Sequence, residues 1–340
     1  MEKKPNFAWT VSEIWNKALA SGVDREPEPR DYLWASELGK APIDVYLRMM
    51  GEKETNPPNI RSRRKFEAGN LFEWVVGMAL KRAGVLKETQ GRTKFNLQDN
   101  LLAVSGKADF IAGGMIDETE AEADLEEINT ILDLPPMFHV TFKAIIKHLK
   151  ESYPEGLAEK PIEVKSVSGY MFEKIEKAMR PIAIHRMQAY HYVKGYKVPQ
   201  GSILYICRDD CRMLEFAIHD NKENEDEYRR HIQVLTDAYN AKERPPLEKP
   251  IVFDNDLGSF SKNFNVAYSG YLTLLYGYES QAEFDDVYAP IQQRWNRVLK
   301  RIKDEANMTE NNKEVIQEME SAGYNVEELV SKMPEKKTEE

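Results

Sequence analysis

The stretch Pro161-Ile162-Glu163-Val164-Lys165-Ser166, PIEVKS, decides how the rest of the chain is understood. Its Ile and Val suit a short buried strand. Side chains on a strand alternate faces, so Glu163 and Lys165 share one face and Ile162 and Val164 the other. A strand with one apolar face therefore aims a carboxylate and an ammonium out of the opposite one. Two readings follow: an ordinary salt bridge, worth little at a surface, or a catalytic pair. Residues elsewhere in the chain choose between them.

The chain has 340 residues, enough for one large decorated domain or two ordinary ones. A hydrophobic content of 41% with 10% aromatics is that of a globular protein. No apolar run reaches membrane-spanning length, and the opening MEKKPNFAWTVSEIW lacks a secretory apolar core. A cytoplasmic chain without a membrane partner is expected. Cys207 and Cys211 are the only cysteines, which argues against a disulfide framework and against a four-cysteine metal or iron–sulfur site. The net charge of −10 disfavours a nucleic-acid partner in bulk, but the charge is segregated. Residues 61–107 carry ten Lys/Arg against four Asp/Glu, beginning with RSRRK at 61–65, whereas DETEAEADLEE at 117–127 holds seven acids and no base. Such segregation makes a basic groove on an acidic body; solvated helix faces explain either cluster taken alone.

Residues 9–20 predict a short amphipathic helix, and Ser36 a cap for a helix through VYLRMMG, closed by Gly51. From Arg61 to Ala83 the pattern is helical, with Phe66, Phe72, Val76 and Leu80 recurring on one face. RTKFNLQ and LLAVSGKADFIA then predict a hairpin turning at Asp99-Asn100. Residues 115–160 read as a partly helical insertion. IEVKSV is the next strand, followed by a helix broken at Pro181 and resuming through IHRMQAYHYVKGY. SILYICR and RMLEFAIH make a second hairpin, and a charged helix covers 221–242. A Pro-rich link, an aromatic stretch and a helix near 284–306 follow, with a frayed end. This order predicts an α/β sandwich with a mixed sheet.

If Glu163 and Lys165 are catalytic, they need partners. Asp109 stands late in the strand built from Leu102, Val104, Phe110 and Ile111, and Glu73 stands mid-helix in FEAGNLFEWVVG with Gly69 and Gly77 four residues to either side. Hard divalent cations such as Mg²⁺ take oxygen ligands and keep several waters. Two carboxylates on adjacent strands and one from a packed helix can hold one or two such ions. Those ions polarise a phosphodiester and acidify a bound water, and a neighbouring lysine stabilises charge developing on phosphorus.

Taken together, Asp109, Glu163-Val164-Lys165, the helical acid Glu73 in GNLFE, and QAYHY with Gln188 and Tyr192 resemble the ordered signature of the PD-(D/E)XK nuclease superfamily. The likeness is to its RecB-like, lambda-exonuclease-like and CRISPR-associated RecB-like exonucleases, and it covers roughly residues 30–245. The resemblance implies a restriction-endonuclease-like core: a central mixed β-sheet flanked by helices, here with a helical insertion and a C-terminal extension. It implies Asp109, Glu163 and the Val164 carbonyl as ligands of Mg²⁺ or Mn²⁺, Glu73 as a further ligand directly or through water, and Lys165 as the catalytic lysine. Gln188 and Tyr192 would line the site and position phosphate or lysine. Ser166 and the basic run Arg61, Arg63, Arg64 and Lys65 would contact the nucleic acid. The expected activity is that of a metal-dependent DNA exonuclease acting on single- or double-stranded ends, leaving 5′-phosphates, in recombination, repair or phage DNA processing, with a recombination protein as partner. A structure-specific or restriction-like endonuclease, and a non-catalytic DNA-binding protein on the same fold, are the alternatives. SELGKAP at 36–42 resembles the segment where the CRISPR-associated group places the first cysteine of an iron–sulfur cluster; Ala41 stands there, so no cluster is expected.

Other residues have plainer readings. Gln188 and Tyr192 also fit a polar stripe at i, i+4 spacing. His185 and His191 are read as structural or DNA-facing, and Cys207 and Cys211 as unliganded thiols. Phe264, Tyr268, Tyr271, Tyr276 and Tyr278 pack the C-terminal section or stack bases. The domain expectation is a helical extension over 1–30, the nuclease core over 31–245 with its insertion at 115–160, an extension packed on the core over 246–320, and a flexible tail over 321–340.

Overall fold

The structure, a computed structural model, describes residues 10–20, 26–115, 136–255, 258–304 and 306–334, with isolated positions 119, 123 and 126. Most of the acidic run at 117–127 lies outside the described residues. The chain divides into two compact units, one of Met1–Lys40, Val45–Glu52 and Pro58–Arg244, the other of Ala41–Asp44, Lys53–Pro57 and Pro245–Glu340.

The first unit carries helices α1 (Val11–Ala20) and α3 (Ile60–Arg82); α2 is Pro42–Met49. Its remaining helices are α4 (Pro136–Ser152), α5 (Gly169–Ala178), α6 (Ala183–Tyr196) and α7 (Lys222–Ala241). Its strands are β1 (Tyr32–Trp34), β2 (Leu86–Phe95), β3 (Ala103–Gly114), β4 (Leu157–Val167), β5 (Gln200–Cys207) and β6 (Met213–His219). They form one mixed sheet: β3 is antiparallel to β2 and β4 and parallel to β1, β4 is parallel to β5, and β5 turns back into β6. The parallel β4–β5 pair requires a crossover, which α5 and α6 supply. This central mixed sheet flanked by helices is the architecture expected of a restriction-endonuclease-like core.

The two faces of the sheet are covered differently. Phe110, Ala112, Ile162, Val164 and Ile206 pack under Phe72, Val76 and Leu80 of α3. On the other face Ile203, Tyr205 and Cys207 meet Met187, Ala189, Tyr190 and Val193 of α6, with Tyr228, Ile232 and Leu235 of α7 in the same core. Every residue of α6 from Met187 to Val193 is buried. Such a helix is covered on all sides, so polar groups on it must find partners inside the fold. His191 does so, between the Thr93 hydroxyl at 2.8 Å and the Tyr228 hydroxyl at 2.7 Å. It is a core histidine, with its pKa pushed to about 3 by burial, and does not face a ligand.

Close approach of α6 to β3 depends on Gly106. A Cβ there would stand 2.8 Å from both the Ala35 Cβ and the Tyr192 ring. Gly106→Ala is therefore expected to destabilise the unit by about 1–3 kcal/mol through overpacking, seen as a lower urea midpoint with an unchanged m-value.

Several local expectations are corrected. Ser36 caps no helix: it lies in a single 3-10 turn, Ala35–Glu37, whose buried Glu37 takes both oxygens' bonds from Arg30 at 2.6 Å. Helix α2 begins instead at Pro42, where a proline's missing N–H costs nothing. Strand β2 starts at Leu86, six residues before its apolar alternation begins, because its outer half is an exposed edge that tolerates the charges of LKETQ. Phe66, grouped with the core face of α3, is 60% exposed.

The second unit has strands β7 (Ile251–Asp254) and β8 (Ser259–Lys262) and short helices α8 (Phe264–Ala267) and α9 (Leu272–Tyr276). Helices α10 (Gln281–Lys303), α11 (Glu310–Ser321) and α12 (Val326–Ser331) follow. Its core gathers Phe260, Trp295, Leu299 and Met319 with Val326 and Leu329 of α12. A capped helix with two buried residues thus stands at 326–331, inside the stretch read from sequence as a flexible tail. Tyr271 is buried and Tyr278 packs on Phe284 within this unit, while Phe264 and Tyr268 are exposed and stacked on each other.

Candidate active site

The site forms where β3 and β4 part. Their antiparallel register runs as far as Phe110 opposite Ile162. The next residues toward the opening are Asp109 on β3 and Glu163 on β4, while β4 continues to pair with β5 through Val167. In the opened interval the Asp109 side chain takes over the role of backbone: its Oδ2 accepts the Val164 N–H at 2.7 Å. One residue further, the Lys165 Nζ donates to Glu163 Oε1. The alternation of PIEVKS holds as the sequence requires, with Ile162 and Val164 in the α3-facing core.

Glu163 is 2% exposed, and its second carboxylate oxygen, Oε2, is buried without a hydrogen-bond partner. An isolated buried carboxylate oxygen is costly, so this atom marks a place where a ligand belongs. Electrostatics give the same message. Burial and then the charge of Glu163 raise the Asp109 carboxyl well above the usual carboxylate range, with Lys165 opposing and Glu73 adding to the rise. Burial also raises Glu163, against the attraction of Lys165. Burial alone would lower Lys165, yet Glu163, Asp109 and Glu73 hold it above its ordinary value. The cluster has more negative than positive charge for its degree of burial.

Glu73 comes from α3, which lies close on the sheet at its two glycines. A Cβ on Gly69 would be 3.5 Å from the Ser166 Oγ, and one on Gly77 would be 2.7 Å from the Phe110 ring. The glycines therefore serve helix-to-sheet contact, and the place a Gly77 Cβ would take is held by the Phe110 ring, while a groove remains open beside Glu73. Glu73 Oε1 accepts from Gln90 Nε2 at 2.6 Å. Gln90 has no signal in the sequence: it lies in β2 across from Asp109, at a φ of +54° that is rare for a residue with a side chain.

From the opposite layer, α6 places Gln188 and Tyr192, both buried, with Gln188 Nε2 donating to the Tyr192 hydroxyl at 3.0 Å. Burial first, then the charges of Glu163 and Asp109, push the Tyr192 phenol up, so it stays protonated as a donor. His185, on the same helix, bonds the Tyr205 hydroxyl at 2.9 Å. Burial and then the charges of Lys165 and Lys40 push it down to about 3, so it is a neutral imidazole at the cationic side of the site.

The basic run is only partly available. Arg63 donates to the Leu19 and Pro58 carbonyls, and Arg64 donates to the Asn16 side chain and lies over the Trp15 ring. These two arginines hold α1, which sequence periodicity could not foresee. Arg61 and Lys65 are exposed on α3, and Ser166 is half-buried on β4.

Among the described residues, no group of three or more His, Cys, Asp or Glu side chains closes around a metal position. The carboxylates brought together are Asp109 and Glu163, with Glu73 within electrostatic reach. Two carboxylates with an orphaned oxygen fit a hard divalent cation that takes oxygen ligands and keeps several waters. They do not fit an ion that needs a complete protein cage.

No family model matches the sequence, and no curated protein matches it. Among solved structures, the chain is similar to one described as SSO0001, with 16% identity and a TM-score of 0.41 over 71% of this chain and 90% of that one. It is also similar to an alkaline exonuclease, LHK-Exo, from Laribacter hongkongensis, with 11% identity and a TM-score of 0.37 over 68% of this chain and 93% of that one. LHK-Exo in complex with dAMP gives a TM-score of 0.38.

Proposed function

We propose that this chain is a metal-dependent nuclease that hydrolyses phosphodiester bonds at DNA ends. The observation that carries the reading is the Glu163 Oε2, buried and without a partner, on the carboxylate whose Oε1 accepts from Lys165. Asp109, Glu163 and the Val164 carbonyl would hold Mg²⁺ or Mn²⁺, with Glu73 contributing directly or through water. The bound cation would polarise the phosphodiester and acidify the attacking water. The remaining work falls to the chain's own groups. Lys165, 23% exposed at its side chain, can turn its ammonium from Glu163 toward a phosphate oxygen as charge builds there. Tyr192, kept protonated and braced by Gln188, offers a neutral donor on the side of α6. Arg61 and Lys65 offer exposed cations for the DNA backbone. The exonuclease form of the reading rests on the resemblance of the Gln188/Tyr192 helix.

The test is degradation of end-labelled linear single- and double-stranded DNA and of closed circles, in Mg²⁺ and in Mn²⁺. Loss of linear DNA with circles spared is the expected result. Cleavage of circles would turn the reading to an endonuclease, and no cleavage of any substrate would remove the enzyme reading.

A further inference from the structure

We infer that the groove between α3 and β2 receives one unpaired nucleobase of the substrate strand, stacked on Trp74, so that the chain acts on single-stranded or frayed ends. The inference deepens the nuclease reading and rests on it. The groove measures about 510 Å³, within the range of roughly 300–1,000 Å³ typical of small-ligand sites. Part of its lining is apolar and aromatic, Trp74 and Met78 from α3, Leu86 from β2 and Phe110 from β3, and the rest is polar, with Glu73 and Lys81 charged. Trp74 is 52% exposed and lines this groove, so its ring is within reach of a ligand there. Two amides, Asn70 and Gln90, border the same space and can both donate to and accept from the edge of a base.

The groove borders the candidate centre at Glu73 and Gln90: both line it, they are hydrogen-bonded to each other, and Gln90 stands across from Asp109 on the neighbouring strand. A nucleotide whose phosphate lies at the carboxylate pair therefore has its base next to the groove. The backbone at Gln90 strengthens the case. A φ of +54° in mid-strand is strain, and strain of this kind persists where surrounding contacts enforce it and concentrates at ligand sites. Here it accompanies the bond from Gln90 to Glu73, which sets the amide at the junction of groove and centre. Within a strand an aromatic ring reaches the face of a base only when that base has left the stack, and the edge groups that Asn70 and Gln90 would meet are taken up by pairing in a duplex, so the occupant is unpaired.

The experiment measures binding in EDTA, so that nothing is cleaved, using whole protein and three fluorescein-labelled probes: a short oligothymidylate, a blunt duplex, and an abasic strand of equal charge. Trp74→Ala is expected to weaken binding of the oligothymidylate roughly tenfold or more and to leave the abasic strand and the duplex unchanged. Trp74→Phe is expected to keep most of the affinity. Since Trp74 is half-exposed on a long helix, the melting temperature of both variants should stay near that of the wild type. Equal loss on all three probes, no loss on any, or a change of oligomeric state in place of a binding change would overturn the inference. The failures are separable. Trp74-dependent binding in a protein that cleaves nothing would remove the nuclease reading alone. Cleavage of linear DNA by a protein whose binding ignores Trp74 would remove the groove alone.

Discussion

Lys165→Ala is expected to reduce hydrolysis of linear DNA on the order of a hundred- to a thousand-fold, the loss typical of removing one preorganised group that meets transition-state charge. The substitution also strips Glu163 of its hydrogen-bond partner, because Lys165 donates to Oε1 and Oε2 has none. Breaking a buried pair by removing one member costs about 3–5 kcal/mol when the remaining charge is left uncompensated. A loss of activity alone could therefore reflect a damaged fold. Lys165→Arg separates the two effects. Arginine restores a cation beside Glu163, but its planar fork cannot place a compact charge where the ammonium sits. The expected pattern is a melting temperature close to wild type for Lys165→Arg, with activity still far below it. Near-wild-type turnover by Lys165→Ala would return PIEVKS to the status of a salt bridge.

The parts of this arrangement that follow short-range rules were legible in the sequence. The two faces of β4 follow from period-two alternation, and the span of α3, Ile60–Arg82, from its apolar spacing. The adjacency of Asp109 and Glu163 followed from treating two strands as neighbours. What escaped depends on long-range packing. Strand β1 has three residues and no period to read. Gln90 sits in a charged edge segment, and only the fold shows it reaching back to Glu73. Arg63 and Arg64 look like a phosphate-binding run in one dimension, but α1 returns to occupy them. The orphaned oxygen of Glu163 is a property of three-dimensional burial and has no counterpart in a string of letters.

Asp109→Asn is expected to make the metal-free protein more stable at pH 8 while abolishing its stabilisation by Mg²⁺. Burial raises both Asp109 and Glu163, with repulsion from Glu163 adding to the rise at Asp109 and repulsion from Glu73 adding to it at Glu163. For a carboxyl raised on folding, the stabilising contribution of the neutral form is complete below the unfolded-chain value, about pH 4. It is lost as pH rises through the folded value. The metal-free wild type should therefore weaken from about pH 4 upward as two buried carboxylates are forced to ionise together. Asparagine keeps an oxygen for the Val164 N–H and carries no charge, so the variant should lack most of this decline and melt a few degrees higher at pH 8. Mg²⁺ reverses the order in the wild type. A ligand at a hundred times its dissociation constant adds about 2.7 kcal/mol, and the ion competes best where the carboxyls are ionised, so its effect should grow with pH. Melting curves at pH 5 and pH 8, with EDTA and with Mg²⁺, measure all of this. If the variant were less stable than wild type in EDTA at pH 8, and both proteins gained equally from Mg²⁺, the Asp109/Glu163 pair would be a structural feature and the cation would bind elsewhere. The predicted crossing, with the variant ahead without metal and the wild type gaining with it, is what a site that keeps its carboxylates at a cost in stability must show.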